Sequence, residues 1–125
     1  MTRPTLEGRF ILIVEDEPLI VLDMTNALEC TGAAITSTNT VKHALLLVEH
    51  DGLAGAILDH ALPDGDSSAL CARLTERGVP FIIYSGHNHI DGPCANVPYL
   101  AKPATAEMLV AAVNDLINGP DARAN

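Results

Sequence analysis

Acidic residues follow two short apolar runs of the sequence, at the points where those runs end. Glu15 and Asp16 come directly after "FILIV", and Asp59 comes directly after "LAGAIL". A serine and a lysine hold similar places, Ser85 at the end of "FIIYS" and Lys102 after "YLA". Clustered carboxylates repel one another unless they are protonated or bridged by a cation, and Mg²⁺ suits such oxygen-rich sites. A carboxylate can also attack phosphorus, and phosphoryl transfer needs mainly positioning and neutralisation of charge.

Strands and helices alternate along the chain, and this order would bring those residues together. Five segments are predicted as strands, namely "FILIV", "AAITST", "LAGAILD", "VPFIIYS" and "VPYLA". Such alternation, with apolar central strands, favours a parallel sheet covered by helices on both faces. Ligands of these folds bind outside the carboxyl ends of the strands. The sequence therefore predicts one site at that edge of the sheet.

The helices between these strands carry their own start and stop signals. Pro18 suits the first turn of the first helix, and Thr40 and Thr105 are predicted to cap the second and the last. Gly32 and Gly78 are placed to end the first and third helices. No internal repeat, linker or low-complexity tract interrupts the pattern.

Composition and charge exclude several classes of function. A chain of 125 residues is the size of one domain. Its net charge of −9 would repel a phosphate backbone, so we expect no nucleic-acid partner. The sequence also shows no apolar stretch of membrane-spanning length and no signal peptide, so we expect no membrane association and a cytoplasmic location.

Cysteines and histidines offer a second, weaker pattern. Cys30, Cys71 and Cys94 are odd in number and widely spaced, which favours reduced thiols over a disulfide framework or a zinc site. The first two fall within predicted helices and are expected to be buried. His87 and His89 lie near the third cysteine but match no standard zinc spacing, so we interpret them as solvated loop residues.

Four motifs in register identify a family. "ILIVEDEP", "ILDHALPDGDS", "IIYSG" and "YLAKP" together resemble the receiver domain of two-component response regulators. The likeness covers roughly residues 9–118, so residues 1–125 are interpreted as one receiver domain with a frayed tail at 119–125. It implies a flavodoxin-like (βα)5 fold, doubly wound around five parallel strands in the order 2-1-3-4-5.

The resemblance also implies an Mg²⁺ site at the acidic residues. Asp59 takes the position of the phosphoacceptor, and Asp16 and Asp59 take those of direct metal ligands. Glu15 would bind the ion through water, and the backbone carbonyl of Ala61 would complete the protein ligands.

Three further positions are implied to respond to the phosphoryl group. Lys102 takes the place of the phosphate-binding lysine, and Ser85 that of the switch hydroxyl. Tyr99 takes the place of the aromatic switch residue, although an aromatic on a short edge strand is often simply packing.

Two departures from the family pattern concern the regions that follow these motifs. Ser67 stands where the family commonly has glycine. The segment between Ser85 and Tyr99 is short, rich in glycine and proline, and without helical period, so the fourth helix is predicted to be shortened or absent. This segment and "VPFIIYSG" resemble a subset of alphaproteobacterial receivers with a "PFxFATGY"-like strand.

The function implied is that of a stand-alone phosphoacceptor rather than a classical enzyme. It would receive phosphate from a histidine kinase or a phosphotransfer protein, then signal by contact with a downstream protein or act as a phosphate relay or sink. Three alternatives stay open. A degenerate receiver would act as a binding module, whereas an aspartyl-nucleophile phosphohydrolase would need an acid where Ala61 stands. In a flavin-binding module, the acidic loop "EDEP" would repel the phosphate.

Overall fold

A parallel sheet forms the centre of the protein, in the computed structural model that describes residues 6–86, 92–95 and 97–119. Its five strands lie in the order β2-β1-β3-β6-β7. They are β1 (Phe10–Val14), β2 (Ala34–Thr38), β3 (Leu53–Leu58), β6 (Phe81–Ser85) and β7 (Tyr99–Ala101). Counted along the chain, the strands of this sheet stand in the order 2-1-3-4-5, so the predicted flavodoxin-like topology is confirmed.

Four helices among the described residues cover the sheet. They are α1 (Pro18–Glu29), α2 (Val41–Leu47), α3 (Ser68–Arg77) and α4 (Ala106–Asn118). Their predicted start signals at Pro18, Thr40 and Thr105 are confirmed, but α1 ends at Glu29, three residues before the predicted stop at Gly32. Thr40 and Thr105 cap α2 and α4, each hydroxyl accepting from a backbone N–H in the first turn. Gly78 ends α3 with a left-handed φ of 70°, which glycine adopts without steric cost. No helix among the described residues is long and apolar enough to cross a bilayer.

Alternation along β1 explains why its sequence is apolar throughout. Ile11 and Ile13 face the layer that holds α1 and α4, and Leu12 and Val14 face the layer that holds α2 and α3. All four side chains are fully buried. Leu6, ahead of the strand, is also fully buried in the first layer, which the sequence did not predict.

The segment after β6 matches the prediction of a shortened fourth helix. Its described part holds a single 3₁₀ turn at Gly92–Cys94. Residues 87–91 and 96 lie outside the described part, and so do the interpretations of His87 and His89. The same holds for residues 120–125 of the predicted tail.

Two short strands after β3 were not predicted. β4 (Ala61–Leu62) and β5 (Gly65–Asp66) form an antiparallel hairpin outside the main sheet. The turn ends at Gly65 with a φ of 144°, a conformation that favours glycine. "LPDG" is thus a hairpin turn immediately beyond Asp59.

The cysteines correct two predictions. Cys71 is buried as expected, but it forms a disulfide with Cys94, so reduced thiols were wrong for this pair. The 3₁₀ turn packs against α3, which brings the two Cα atoms within 5.3 Å across 23 positions of sequence. Cys30 is exposed rather than buried, because it lies just past the end of α1, beyond the last residue of that helix that faces the core.

Candidate functional site

Three carboxylates meet at the carboxyl edge of the sheet. β1 and β3 are neighbours in register, with Val14 opposite Leu58, so the residues that follow them lie at one level. One oxygen atom from each of Glu15, Asp16 and Asp59 lies within 4.8 Å of the others. The predicted acidic cluster is therefore present.

Burial differs sharply within this cluster. Glu15 is 2% exposed and Asp59 is 7% exposed, whereas Asp16 faces solvent. A cavity of about 540 Å³ opens beside Glu15 and Asp16, and the end of β2 and the residue after it, Ser37 to Asn39, also line it. The arrangement leaves the cluster open to an ion or a small group from solvent.

The side chain of Asp59 is held from two sides. Oδ1 accepts a hydrogen bond from the backbone N–H of Ala61 over 3.3 Å, and Oδ2 lies 3.4 Å from Nζ of Lys102. The backbone of Asp59 is anchored as well, because its N–H donates to the carbonyl of Val14 over 2.8 Å. Its own carbonyl accepts from the buried hydroxyl of Ser67. The serine that departs from the family pattern thus supports the strand end at the acidic cluster.

Lys102 places one positive charge between the two buried acids. Its Nζ lies 2.8 Å from Oε1 of Glu15 as well as 3.4 Å from Asp59. Burial alone would lower the pKa of the lysine, but its ion pairs with Glu15 and then Asp59 outweigh burial and raise that pKa. The ammonium group therefore stays charged at neutral pH.

The cluster still carries more negative than positive charge. Burial raises the pKa of Glu15 above its ordinary value, and the hydrogen bonds from Lys102 and the backbone of Glu17 offset that rise only in part. One ammonium faces three carboxylates, two of them buried. Hard oxygen donors with unbalanced negative charge are the ligands that Mg²⁺ prefers, so these residues fit that ion.

The two predicted switch residues meet at the end of β6. Ser85 is fully buried, and its backbone carbonyl accepts from the backbone N–H of Lys102 over 3.0 Å. The same carbonyl accepts from the hydroxyl of Tyr99 over 2.9 Å. Tyr99 is 38% exposed, so this residue connects the end of β6 with the protein surface.

One residue at the site escaped sequence reasoning. Tyr84 lies directly before Ser85, and its ring centroid is 5.4 Å from Nζ of Lys102. Its hydroxyl accepts a hydrogen bond from the backbone N–H of Ala104 over 3.1 Å. A tyrosine inside an apolar strand is typical of core packing, and the spacing of the motifs gave no signal for this contact.

Comparison with known proteins agrees with the fold and identifies the family. The model of the response regulator receiver domain matches residues 11–114. The chain therefore belongs to the response regulator receiver domain family. It is 32% identical over 114 residues to the transcriptional regulatory protein PmrA of Pectobacterium parmentieri, covering 86% of this chain and 51% of PmrA. The chain thus spans about half the length of that relative.

Two solved structures are similar over most of the chain. The solution structure of SdrG from Sphingomonas melonis Fr1 superposes with a TM-score of 0.76 at 33% identity, covering 93% of this chain and 98% of SdrG. The receiver domain of the sensor histidine kinase PA1611 from Pseudomonas aeruginosa PAO1 gives 0.77 at 26% identity, covering 89% and 98%. In that structure a magnesium ion is coordinated in the active-site cleft.

Proposed function

We propose that this receiver domain accepts a phosphoryl group on Asp59 from a phosphorylated histidine of a kinase or phosphotransfer protein. The observation that carries the proposal is the position of Lys102, whose ammonium lies between the buried carboxylates of Glu15 and Asp59. A phosphoryl group on Oδ2 of Asp59 would lie against that ammonium. Family membership and the acidic cluster support the same chemistry.

The proposed transfer forms one bond and breaks one. A carboxylate oxygen of Asp59 attacks phosphorus, the bond from phosphorus to the donor imidazole breaks, and the imidazole nitrogen regains a proton from solvent. Lys102 neutralises charge on the phosphoryl oxygens. Hydrolysis returns the domain to its unphosphorylated state, because water attacks phosphorus and releases inorganic phosphate and the Asp59 carboxylate. The domain is consumed and regenerated as a phosphoacceptor, so we do not class it as an enzyme.

Magnesium is part of the proposal. Glu15, Asp16 and Asp59 would hold the ion, with the backbone carbonyl of Ala61 as the remaining protein ligand. When bound, Mg²⁺ would neutralise charge shared between these carboxylates and the phosphoryl group. The coordinated ion of the PA1611 receiver supports this assignment.

The proposed readout begins at the end of β6. The Ser85 hydroxyl would bond the phosphoryl group, and the strand end that it terminates also holds Tyr99 and the backbone of Lys102. A local change of charge could thereby move a two-state element. The 3₁₀ turn at Gly92–Cys94 stands where a fourth helix would otherwise offer an output face.

We propose that residues 1–125 work as one stand-alone receiver that signals through protein contacts or relays phosphate. The extent of the match to the SdrG chain supports this. We include a cytoplasmic location in the proposal. Disulfides are unusual in a reducing cytosol, so the state of Cys71 and Cys94 in protein from lysed cells is a direct check of that location.

Intact-mass spectrometry after incubation with acetyl phosphate tests the proposal. We expect one phosphoryl adduct that requires Mg²⁺ and is absent from Asp59→Asn. Asp64→Asn is the matched control, since this exposed acid follows in the same loop but binds backbone N–H groups of α2 instead of the cluster. An adduct that persists in Asp59→Asn, or that disappears equally in Asp64→Asn, contradicts the assignment.

A further inference from the structure

Lys102 stands on a segment with little regular structure of its own. β7 is only three residues long and ends at Ala101, and α4 does not begin until Ala106. Nζ of Lys102 nevertheless lies in contact with two acids, 2.8 Å from Glu15 and 3.4 Å from Asp59. Its backbone N–H is fixed by the carbonyl of Ser85. The flexible side chain and the loop beyond it need further support.

The side chain of Tyr84 contacts both Lys102 and the loop that follows it. Nζ of Lys102 lies 5.4 Å from the centroid of the tyrosine ring, within the range of a cation–π contact. The hydroxyl of Tyr84 accepts from the N–H of Ala104, two residues further along the same loop. One side chain thus contacts the loop at both ends of the Lys102–Ala104 segment.

Tyr84 itself is rigidly placed. It is 6% exposed, lies in β6 opposite Leu100 of β7, and packs in the same apolar cluster as Ile82. A ring fixed in this way can orient a neighbour at little further cost in conformational entropy. Packing would account for the ring but not for a hydroxyl that bonds the loop carrying the lysine.

We propose that Tyr84 is a positioning residue for Lys102. Its ring orients the ammonium group of Lys102, and its hydroxyl holds the loop at Ala104. Tyr84 does not touch the phosphoryl group and acts through the lysine. This inference rests on the proposed phosphoacceptor function for its kinetic consequence, but the placement of Lys102 can be measured without any phosphorylation.

Two substitutions separate the two contacts. Tyr84→Phe keeps the ring and removes the hydroxyl, whereas Tyr84→Leu removes both. Ile82→Val is the matched control, because it loses packing in the same cluster on the same strand but leaves the contact between Tyr84 and Lys102 in place. Thermal unfolding of each variant, measured first, fixes a temperature at which all of them are folded.

The first readout is the NMR shift of the Lys102 methylene protons next to Nζ, recorded in Mg²⁺-free protein. Protons above an aromatic face are shifted upfield by its ring current. We expect this shift in the wild type, Tyr84→Phe and Ile82→Val, and its loss in Tyr84→Leu. The Ala104 amide resonance should move in Tyr84→Phe. Wild-type methylene protons without the upfield shift would overturn the proposal, even if Tyr84→Leu did not fold.

The second readout is the rate of phosphoryl adduct formation with acetyl phosphate at saturating Mg²⁺. We expect Tyr84→Leu to react about tenfold more slowly, and Tyr84→Phe to stay within about threefold of the wild type. Ile82→Val should match the wild type. A folded Tyr84→Leu variant that reacts at the wild-type rate would refute the positioning role. If even the wild type formed no adduct, the phosphoacceptor function would fail, while the Lys102 shifts would still decide the placement.

Discussion

Replacing Lys102 by methionine should destabilise the protein in the absence of Mg²⁺, and Glu15 is the reason. The Glu15 side chain is 1% exposed and its Oε1 lies 2.8 Å from Nζ of Lys102. Methionine keeps much of the apolar stem of lysine but removes the charge. The substitution therefore leaves a buried carboxylate beside Asp59 without its positive partner.

The size of the effect follows from two opposing contributions. At an effective dielectric constant of about 20, a 2.8 Å contact between unit charges provides about 6 kcal/mol of attraction. Removing two ions from water costs several kcal/mol each, and an isolated acid can also escape by taking up a proton. Breaking a buried pair usually costs about 3–5 kcal/mol. Because Lys102 is 20% exposed, we expect a loss of about 2–3 kcal/mol in the free energy of unfolding.

Urea unfolding at neutral pH, with a chelator present, measures this loss and its origin in a double-mutant cycle. Glu15→Gln alone should change the free energy of unfolding by less than about 1 kcal/mol, since it removes a costly charge together with its ion pair. The double variant Glu15→Gln, Lys102→Met should recover most of the loss, giving a coupling energy of about 2 kcal/mol. Additive effects, or a Lys102→Met variant as stable as the wild type, would refute the assigned electrostatics.

Three further predictions concern the disulfide, the pH dependence of stability and the metal. Cys94→Ala should lower the free energy of unfolding by about 3 kcal/mol, because the bond to Cys71 closes a loop across 23 positions. Reduction of the wild type should lower it by a similar amount, and the control Cys30→Ser, at an exposed position, by less than about 0.5 kcal/mol. Equal stability with and without the disulfide would contradict this prediction. The raised pKa of Glu15 means that the folded protein binds a proton more readily than the unfolded chain, so Glu15 should lower stability as the pH rises above about 4.5, its ordinary value. In urea unfolding without Mg²⁺, the free energy of unfolding of Glu15→Gln relative to the wild type should therefore increase with pH and then level off. A relative free energy of unfolding that decreases with pH would contradict the prediction. Mg²⁺ at ten times its dissociation constant should raise the free energy of unfolding by about 1.4 kcal/mol. At the same Mg²⁺ concentration, the free energy of unfolding of Asp16→Asn should rise by less, because a ligand is lost. An equal rise in both proteins would exclude the cluster as the metal site.

The sheet and its acidic edge could be predicted from the sequence because both depend on local patterns. Buried parallel strands read as continuous apolar runs, and β1 was predicted with the bounds that the structure has. Strand ends in such a sheet share one edge, so the meeting of Glu15, Asp16 and Asp59 followed from topology alone. Helix caps such as Thr40 are equally local signals.

Contacts between distant segments could not be predicted in the same way. The bond between Cys71 and Cys94 depends on how the 3₁₀ turn folds back on α3, which no spacing rule encodes. The contact of Tyr84 with Lys102 depends on the register of β6 against β7. Cys30 was placed in a buried helical position because the helix was expected to continue past it, whereas α1 ends at Glu29.

Mapping the acyl phosphate directly is the sharpest test of the central claim. After reaction with acetyl phosphate and Mg²⁺, borohydride reduces an aspartyl phosphate to homoserine, which tandem mass spectrometry locates in the peptide. We expect homoserine at position 59 alone, and none when Mg²⁺ is removed. Homoserine at another acidic residue would contradict the claim that Asp59 is the phosphoacceptor. The claim would also be contradicted if Asp59 stayed unmodified in protein that binds Mg²⁺ and has been treated with a phosphorylated histidine donor.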